Sequence, residues 1–162
     1  MTTRTEIIEE ARSWIGTSFH HQGRTKKKYL PSGGFTGGGC DCIGLLVGVA
    51  KALDIKSAKY PDKSLYEFDR KNYSRTPDGE SLQDVFDDVL TRIDINDIRP
   101  ADVVLLKFEK DPQHVAIFTD YKISDDDYAL GIIHSYASAR KVVEHRFDKL
   151  WQDRIVAAYR IV

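Results

Sequence analysis

Two residue types in this chain can do covalent chemistry at neutral pH, a cysteine and a set of histidines. Cys42 follows Asp41 where a glycine-rich turn gives way to an apolar run, IGLLVGVAKAL. Asp is a preferred N-cap, so Asp41 is expected to cap a helix that starts with Cys42 in its first turn. Unpaired backbone N–H groups and the positive end of the helix dipole favour a thiolate there, which predicts a sulfur that is ionised at rest and nucleophilic. The bland alternative is an inert, buried small hydrophobe, the usual fate of a free cysteine.

A thiolate needs a proton acceptor, and that acceptor needs a group that fixes its tautomer. His114 opens the run HVAIFTDY, and His134 lies inside GIIHSY. If these runs pair as an antiparallel hairpin through residues 124–127, two imidazoles on one face come within reach of each other and of Cys42. A Cys, His, Asp arrangement through Asp120 or Asp102 stays open. His145 alternates with Val143 and Phe147 along RKVVEHRF, with no partner suggested, and is read as structural.

Other chemistry fits less well. Cys40, Cys42, His20, His21, His114 and His134 include zinc-ligand types, but Cys-x-Cys is not the gap of a structural zinc ribbon and no second pair follows. Cys40 and Cys42 are also too close for an unstrained bridge, so both are read as reduced thiols.

The elements that must position these residues can be read along the chain. Thr3 or Thr5 can cap a first helix with Ile7, Ile8, Ala11, Trp14 and Ile15 at helical spacing, ended by Gly16. Residues 16–39 lose periodicity and are expected to form a flexible loop. Its charges Arg24, Lys26, Lys27 and Lys28 either meet the carboxylates of a peptide substrate or form a solvated run. The helix from Cys42 to about Leu53 is apolar nearly all round, with Gly44 and Gly48 allowing close approach by a neighbour. Residues 54–79 read as loop with a short helical piece, and Ser81 can cap a helix running to about Arg92. After Pro100 come five β-branched and aromatic runs, 103–108, 114–121, 128–136, 140–147 and 155–162, expected to form a meandering antiparallel sheet. Helices first and strands second imply an α+β domain with the cysteine helix packed on the sheet.

Composition sets outer bounds. The 162 residues fit roughly one domain of 100 to 200 residues, so 1–162 is read as a single unit. Lys+Arg 24 against Asp+Glu 25 leaves a net charge of -1, which disfavours general nucleic-acid binding. No run of about 18 apolar residues is present to insert in a membrane. The start, MTTRTEIIEEARSW, lacks the apolar segment of a secretion signal, so cytoplasmic synthesis is expected, with any passage to the cell wall through another machine.

The strings GCDCIGLL, PADVVLLKF, QHVAIFTD and GIIHSY, in that order, resemble the NlpC/p60 family of papain-like cysteine peptidases, which cut the peptide stems of bacterial cell wall. The resemblance runs from about Trp14 to Ala137. It implies a papain-like α+β fold, Cys42 as nucleophile, His114 as general base and His134 as the residue that orients it. It also implies no metal and no organic cofactor, and a peptidoglycan stem peptide as substrate, cut beside a D-γ-glutamyl linkage. Phe19, His21, Gln22 and Asp41 then line the oxyanion and substrate side. The GCDC form and the lead-in WIGTSFHHQGR look most like versions linked to phage tails, which implies phage-tail or secretion-machine partners.

Three departures from the family pattern stand out. Ile43 replaces the usual Ser after the nucleophile, and the span between His114 and His134 is long. Phe19 stands where the family has a Tyr whose hydroxyl helps bind the oxyanion. Losing one such donor costs about 2.7 to 4 kcal/mol in the barrier. Either the Cys42 backbone N–H works with a substitute such as His21 or Gln22, or the protein is a weak or inactive peptidase fold kept as an assembly component of a tail or similar particle.

Overall fold

A computed structural model describes residues 1–71, 73, 81–108 and 111–162, with the backbone alone for 111 and 112. The elements in order are α1 (Arg4–Arg12), β1 (Arg24–Thr25), β2 (Lys28–Tyr29), β3 (Phe35–Thr36), β4 (Gly39–Cys40) and α2 (Cys42–Ala52). Then come α3 (Ser81–Val89), β5 (Thr91–Ile93), β6 (Val103–Phe108), β7 (Asp111–Ser124), β8 (Asp127–Tyr136), β9 (Lys141–Arg146), α4 (Lys149–Gln152) and β10 (Ile155–Arg160). A 3-10 turn at Leu65–Phe68 is the short helical piece of the 54–79 segment, part of which lies outside the described residues. No helix among the described residues is long and apolar enough to cross a membrane.

The architecture is α+β, with one difference in the sheet. Among the described residues, six strands pair in the order β5-β10-β6-β7-β8-β9, all antiparallel. β6 to β9 form the expected meander, but β10 leaves its end and returns to pair with β6 and β5. Ala157, Ala158 and Tyr159 are buried in succession, the pattern of a strand covered on both faces. In sequence, β5 reads as the last turn of α3. That helix stops at Val89, and Thr91 to Ile93 pair with Arg160 to Ala158 instead.

Both sheet faces are covered. On one, Val103, Leu105, Val115, Ile117, Ile133 and Tyr159 pack against Ile7 and Ala11 of α1, Leu45 and Val49 of α2 and Phe86 of α3. On the other, Val104, Leu106, Ala116, Phe118 and Ile132 meet Phe147 and Trp151 of the α4 region.

Local chemistry explains the helix starts. Thr3 and Glu6 form a reciprocal capping box at α1, with Thr3 N donating to Glu6 Oε2 at 2.7 Å and Glu6 N to Thr3 Oγ1 at 3.2 Å. Asp41 caps α2 by accepting from the Gly44 N–H at 2.8 Å. α1 stops at Arg12, with Trp14 and Ile15 in the turn that Gly16 closes at φ +92°.

Residues 16–39 are not a free loop. β1 pairs with β4 and β2 with β3, as two short ribbons. Nor is the basic run solvated as a whole: Arg24 pairs with Asp69 and Asp41, and Lys26 with Glu10. Lys27 is buried, donating to the Ile15 carbonyl and lying 4.3 Å from the Phe35 ring centroid. Of the four, Lys28 is left exposed.

The two α2 glycines let neighbours approach, as their spacing suggests. A Cβ on Gly48 would overlap the Trp14 ring, and one on Gly44 would overlap the Gly23 carbonyl. Gly48→Ala is therefore expected to lower unfolding free energy by about 1 to 3 kcal/mol, through overpacking against the buried Trp14 ring. Denaturant titration checks this; an unchanged or raised midpoint would show that Trp14 does not seat α2.

Candidate active site

Cys42 occupies the first position of α2, and its location follows from how that helix starts. β7 and β8 pair from Ile117↔Ile133 outward to the hairpin. Toward His114 and Tyr136 the helix start fits against them: the Ser135 hydroxyl donates to the Cys40 carbonyl at 2.6 Å, and the Val115 backbone N–H is directed at the Cys42 sulfur. The residue that follows His114 in the chain thus touches the nucleophile candidate.

Cys42 and His114 line the same cleft, of about 770 Å³. Phe19, His21, Asp41, Tyr73, Phe108, Gln113 and Tyr136 contribute to its walls, and Leu46, Val47, Ala50, Leu82 and Val85 carry it over an apolar floor. Cys42 packs with the helix-side core, whereas His114 contacts Phe108 and Trp151 on the opposite sheet face. The site is therefore assembled from both sides of the sheet.

The histidines are in line. His114 Nε2 lies 2.6 Å from His134 Nδ1, and His134 Nε2 lies 2.8 Å from His145 Nε2. His145 Nδ1 is in turn 2.8 Å from the Arg146 carbonyl. His134 is fully buried, stacked on Tyr136 at 5.1 Å and 9° and met edge-on by Trp151 at 4.9 Å. His145, read from sequence as structural, is thus a direct neighbour of His134. Its alternation with Val143 and Phe147 was visible, but its partner depends on the β8–β9 register, Ile132↔His145 and His134↔Val143.

The resting charge state differs from the sequence expectation. Burial pushes the Cys42 thiol up to about 12, the nearby Asp41 charge adds to this, and the N–H groups of Val115, Ile43 and Cys42 only partly oppose it. Cys42 retains some exposure to the cleft, yet the protein around its sulfur excludes the water that would solvate a thiolate. Burial likewise takes His114 down to about 3, with Arg154 contributing, and lowers His134. The pair rests as neutral thiol and neutral imidazole, so the helix N-terminus alone does not hold sulfur 42 ionised. Cys40, fully buried, is also raised by burial, to about 11.

Among the other candidates, Phe19 and His21 both line the cleft, and His21 meets Tyr73 edge to face at 5.5 Å. Gln22, at φ +60°, donates its side-chain amide to the Tyr73 carbonyl at 2.7 Å and its backbone N–H to Asp41 Oδ2 at 2.8 Å. Asp41 accepts from Gly44, Gln22, Arg24 and Tyr73. Tyr73, a residue with no signal in its local sequence, is held protonated first by burial and then by Asp41. The acidic alternatives lie elsewhere: Asp102 binds Arg160 and Arg4, and Asp120 binds Arg12. No group of three or more His, Cys, Asp or Glu among the described residues is placed to hold a metal ion.

Sequence comparison with family models and with curated proteins gives no match. Solved structures do match. An NLP/P60 family protein similar to lipoprotein, from Staphylococcus aureus subsp. aureus Mu50, is 18% identical with a TM-score of 0.57, the match covering 98% of this chain and 41% of that one. The peptidoglycan hydrolase RipB from Mycobacterium tuberculosis is 15% identical, with a TM-score of 0.56 and 98% and 64% of the two chains covered. The NlpC/p60 domain of the peptidoglycan hydrolase SagA is 16% identical with a TM-score of 0.57, and 98% of each chain is covered. This chain thus spans less than two thirds of the first two proteins and nearly all of the SagA domain.

The buried neutral histidines make stability pH-dependent. A group whose folded pKa lies below its ordinary 6.5 contributes stability that is whole above 6.5 and is lost as pH falls toward the folded value. The slope is up to about 1.4 kcal/mol per pH unit for each histidine. Urea midpoints are expected to fall between pH 7 and 5, above the carboxylate range, and to fall less in His114→Asn. Equal slopes in both proteins would contradict the burial of a neutral His114. These structural matches, at identities that speak to the fold, show that the chain has the NlpC/P60 fold.

Proposed function

We propose that this protein is a cysteine peptidase that hydrolyses amide bonds in peptidoglycan stem peptides, beside a D-γ-glutamyl linkage. The observation that carries the reading is Cys42 at the start of α2 and His114 on β7, before that strand begins to pair with β8, lining one cleft in a fold shared with peptidoglycan hydrolases. The D-γ-glutamyl preference rests on the family resemblance of the motifs.

Because thiol and imidazole rest neutral, His114 takes the Cys42 proton as the sulfur attacks the amide carbonyl. The oxyanion forms, the C–N bond breaks as His114 returns the proton to the leaving amine, and an acyl-enzyme remains on Cys42. Water, deprotonated by His114, then releases the acid and restores the thiol. His134 accepts from His114 Nε2 throughout and stabilises the imidazolium. Phe19 has no hydrogen to donate to the oxyanion, and the Gln22 amide is committed to Tyr73. His21 is the side-chain donor that remains on that wall, beside the Cys42 backbone N–H.

The second reading, an assembly component with a weak site, finds its observation in Phe19. Residues 1–162 are taken as one unit on either reading, and phage-tail or secretion partners and delivery to the wall from the cytoplasm belong to the same proposal.

Digestion of purified peptidoglycan, with the muropeptides read by mass spectrometry, separates the two. Wild type is expected to release cleaved stem peptides and Cys42→Ala none; identical product profiles would remove the peptidase reading. His21→Ala is expected to lower kcat about 100-fold with KM changed little. An unchanged kcat would show that His21 is not the oxyanion donor.

A further inference from the structure

We infer that His145 is a positioning residue that sets the tautomers of His134 and His114, through a hydrogen-bond chain anchored on the Arg146 carbonyl. The inference rests on the reading of His114 as the base and extends it by one ring.

The direction of the chain follows from its far end. A carbonyl oxygen only accepts, so the 2.8 Å contact between His145 Nδ1 and Arg146 O requires the proton on Nδ1. In neutral His145 the Nε2 then carries a lone pair. His134 Nε2, 2.8 Å away, must donate to it, which leaves His134 Nδ1 as an acceptor. His114 Nε2, 2.6 Å from that atom, donates in turn. The lone pair of His114 is thereby placed on Nδ1, the nitrogen not engaged by His134, and a neutral ring with a free lone pair is what a general base needs. The opposite polarity would put a proton on His114 Nδ1 and leave it nothing with which to accept one.

Burial gives the chain its force. His134 is fully buried and His114 nearly so, so each N–H and each lone pair in the line needs a partner inside the protein. His145 is partly exposed, holds its ring 5.3 Å from Trp151, and makes the backbone contact that breaks the symmetry between the two polarities. A structural histidine would need no particular nitrogen on His134. This one presents an acceptor.

Substitutions that differ only in what they offer His134 test this. His145→Gln keeps an acceptor oxygen, whereas His145→Lys offers donors alone and imposes the reverse polarity. Long-range ¹H–¹⁵N spectra of ¹⁵N-histidine-labelled protein report each tautomer without any substrate. Wild type is expected to show His114 and His134 both in the Nε2–H form, His145→Gln to keep them, and His145→Lys to lose them. In peptidoglycan digestion, His145→Lys is expected to lower kcat at least tenfold with KM within twofold, and His145→Gln to stay within threefold of wild type. A wild-type His134 in the Nδ1–H form, or a Lys variant with wild-type tautomers, would overturn the inference. Failure of the peptidase reading would instead appear as no digestion by wild type, with the spectra still deciding the tautomers.

Discussion

The molecule turns on one join, where the start of α2 meets the strands β7 and β8. Three contacts make it: Asp41 capping the helix through Gly44, Ser135 reaching the Cys40 carbonyl, and the Val115 N–H aimed at the Cys42 sulfur. Each satisfies a polar group that would otherwise be buried without a partner, so none can be moved cheaply. Together they fix a sulfur from one side of the sheet at a cleft that also receives an imidazole from the other. Gly44 and Gly48 are the steric condition for this, because α2 can sit against Gly23 and Trp14 only where it carries no side chain.

The electrostatics of the join are less simple than a helix start suggests. Backbone N–H groups around Cys42 favour a thiolate, but burial and the Asp41 charge outweigh them. The same burial lowers the His114 pKa and keeps its ring neutral well into the acid range. A neutral thiol and a neutral imidazole on one cleft suit the proposed chemistry, provided that the imidazole presents its lone pair. The tautomer of His114, set by the line of rings behind it, then matters more than the ionisation of the sulfur.

Much of this was legible in the sequence where the cause is local. The Asp41 cap, the limits of α2, the close approach at Gly48 and five of the six strands described in the main sheet follow from neighbours along the chain. What was not legible depends on distant pairing. β10 reads as one more strand, and nothing in Ile155 to Arg160 says that it returns to β6. The ribbons of residues 24–40 are two-residue pairs held by their surroundings, with too little periodicity to detect. Lys27 looks like a solvated charge until Phe35 and the Ile15 carbonyl are brought to it. His145 needed the register of β8 on β9, since a slip of one residue would have sent its ring to the other face.

On the proposed function, residue 42 carries the acyl group in turnover. Rapid acid quench of wild-type protein mixed with a γ-D-glutamyl stem peptide, followed by peptide mass mapping, tests it directly. The expected result is a hydroxylamine-sensitive mass increase, equal to the acyl half of the substrate, on the peptide containing Cys42. Stem-peptide cleavage proceeding in Cys42→Ala, with no such increase at residue 42 in wild type, would contradict it.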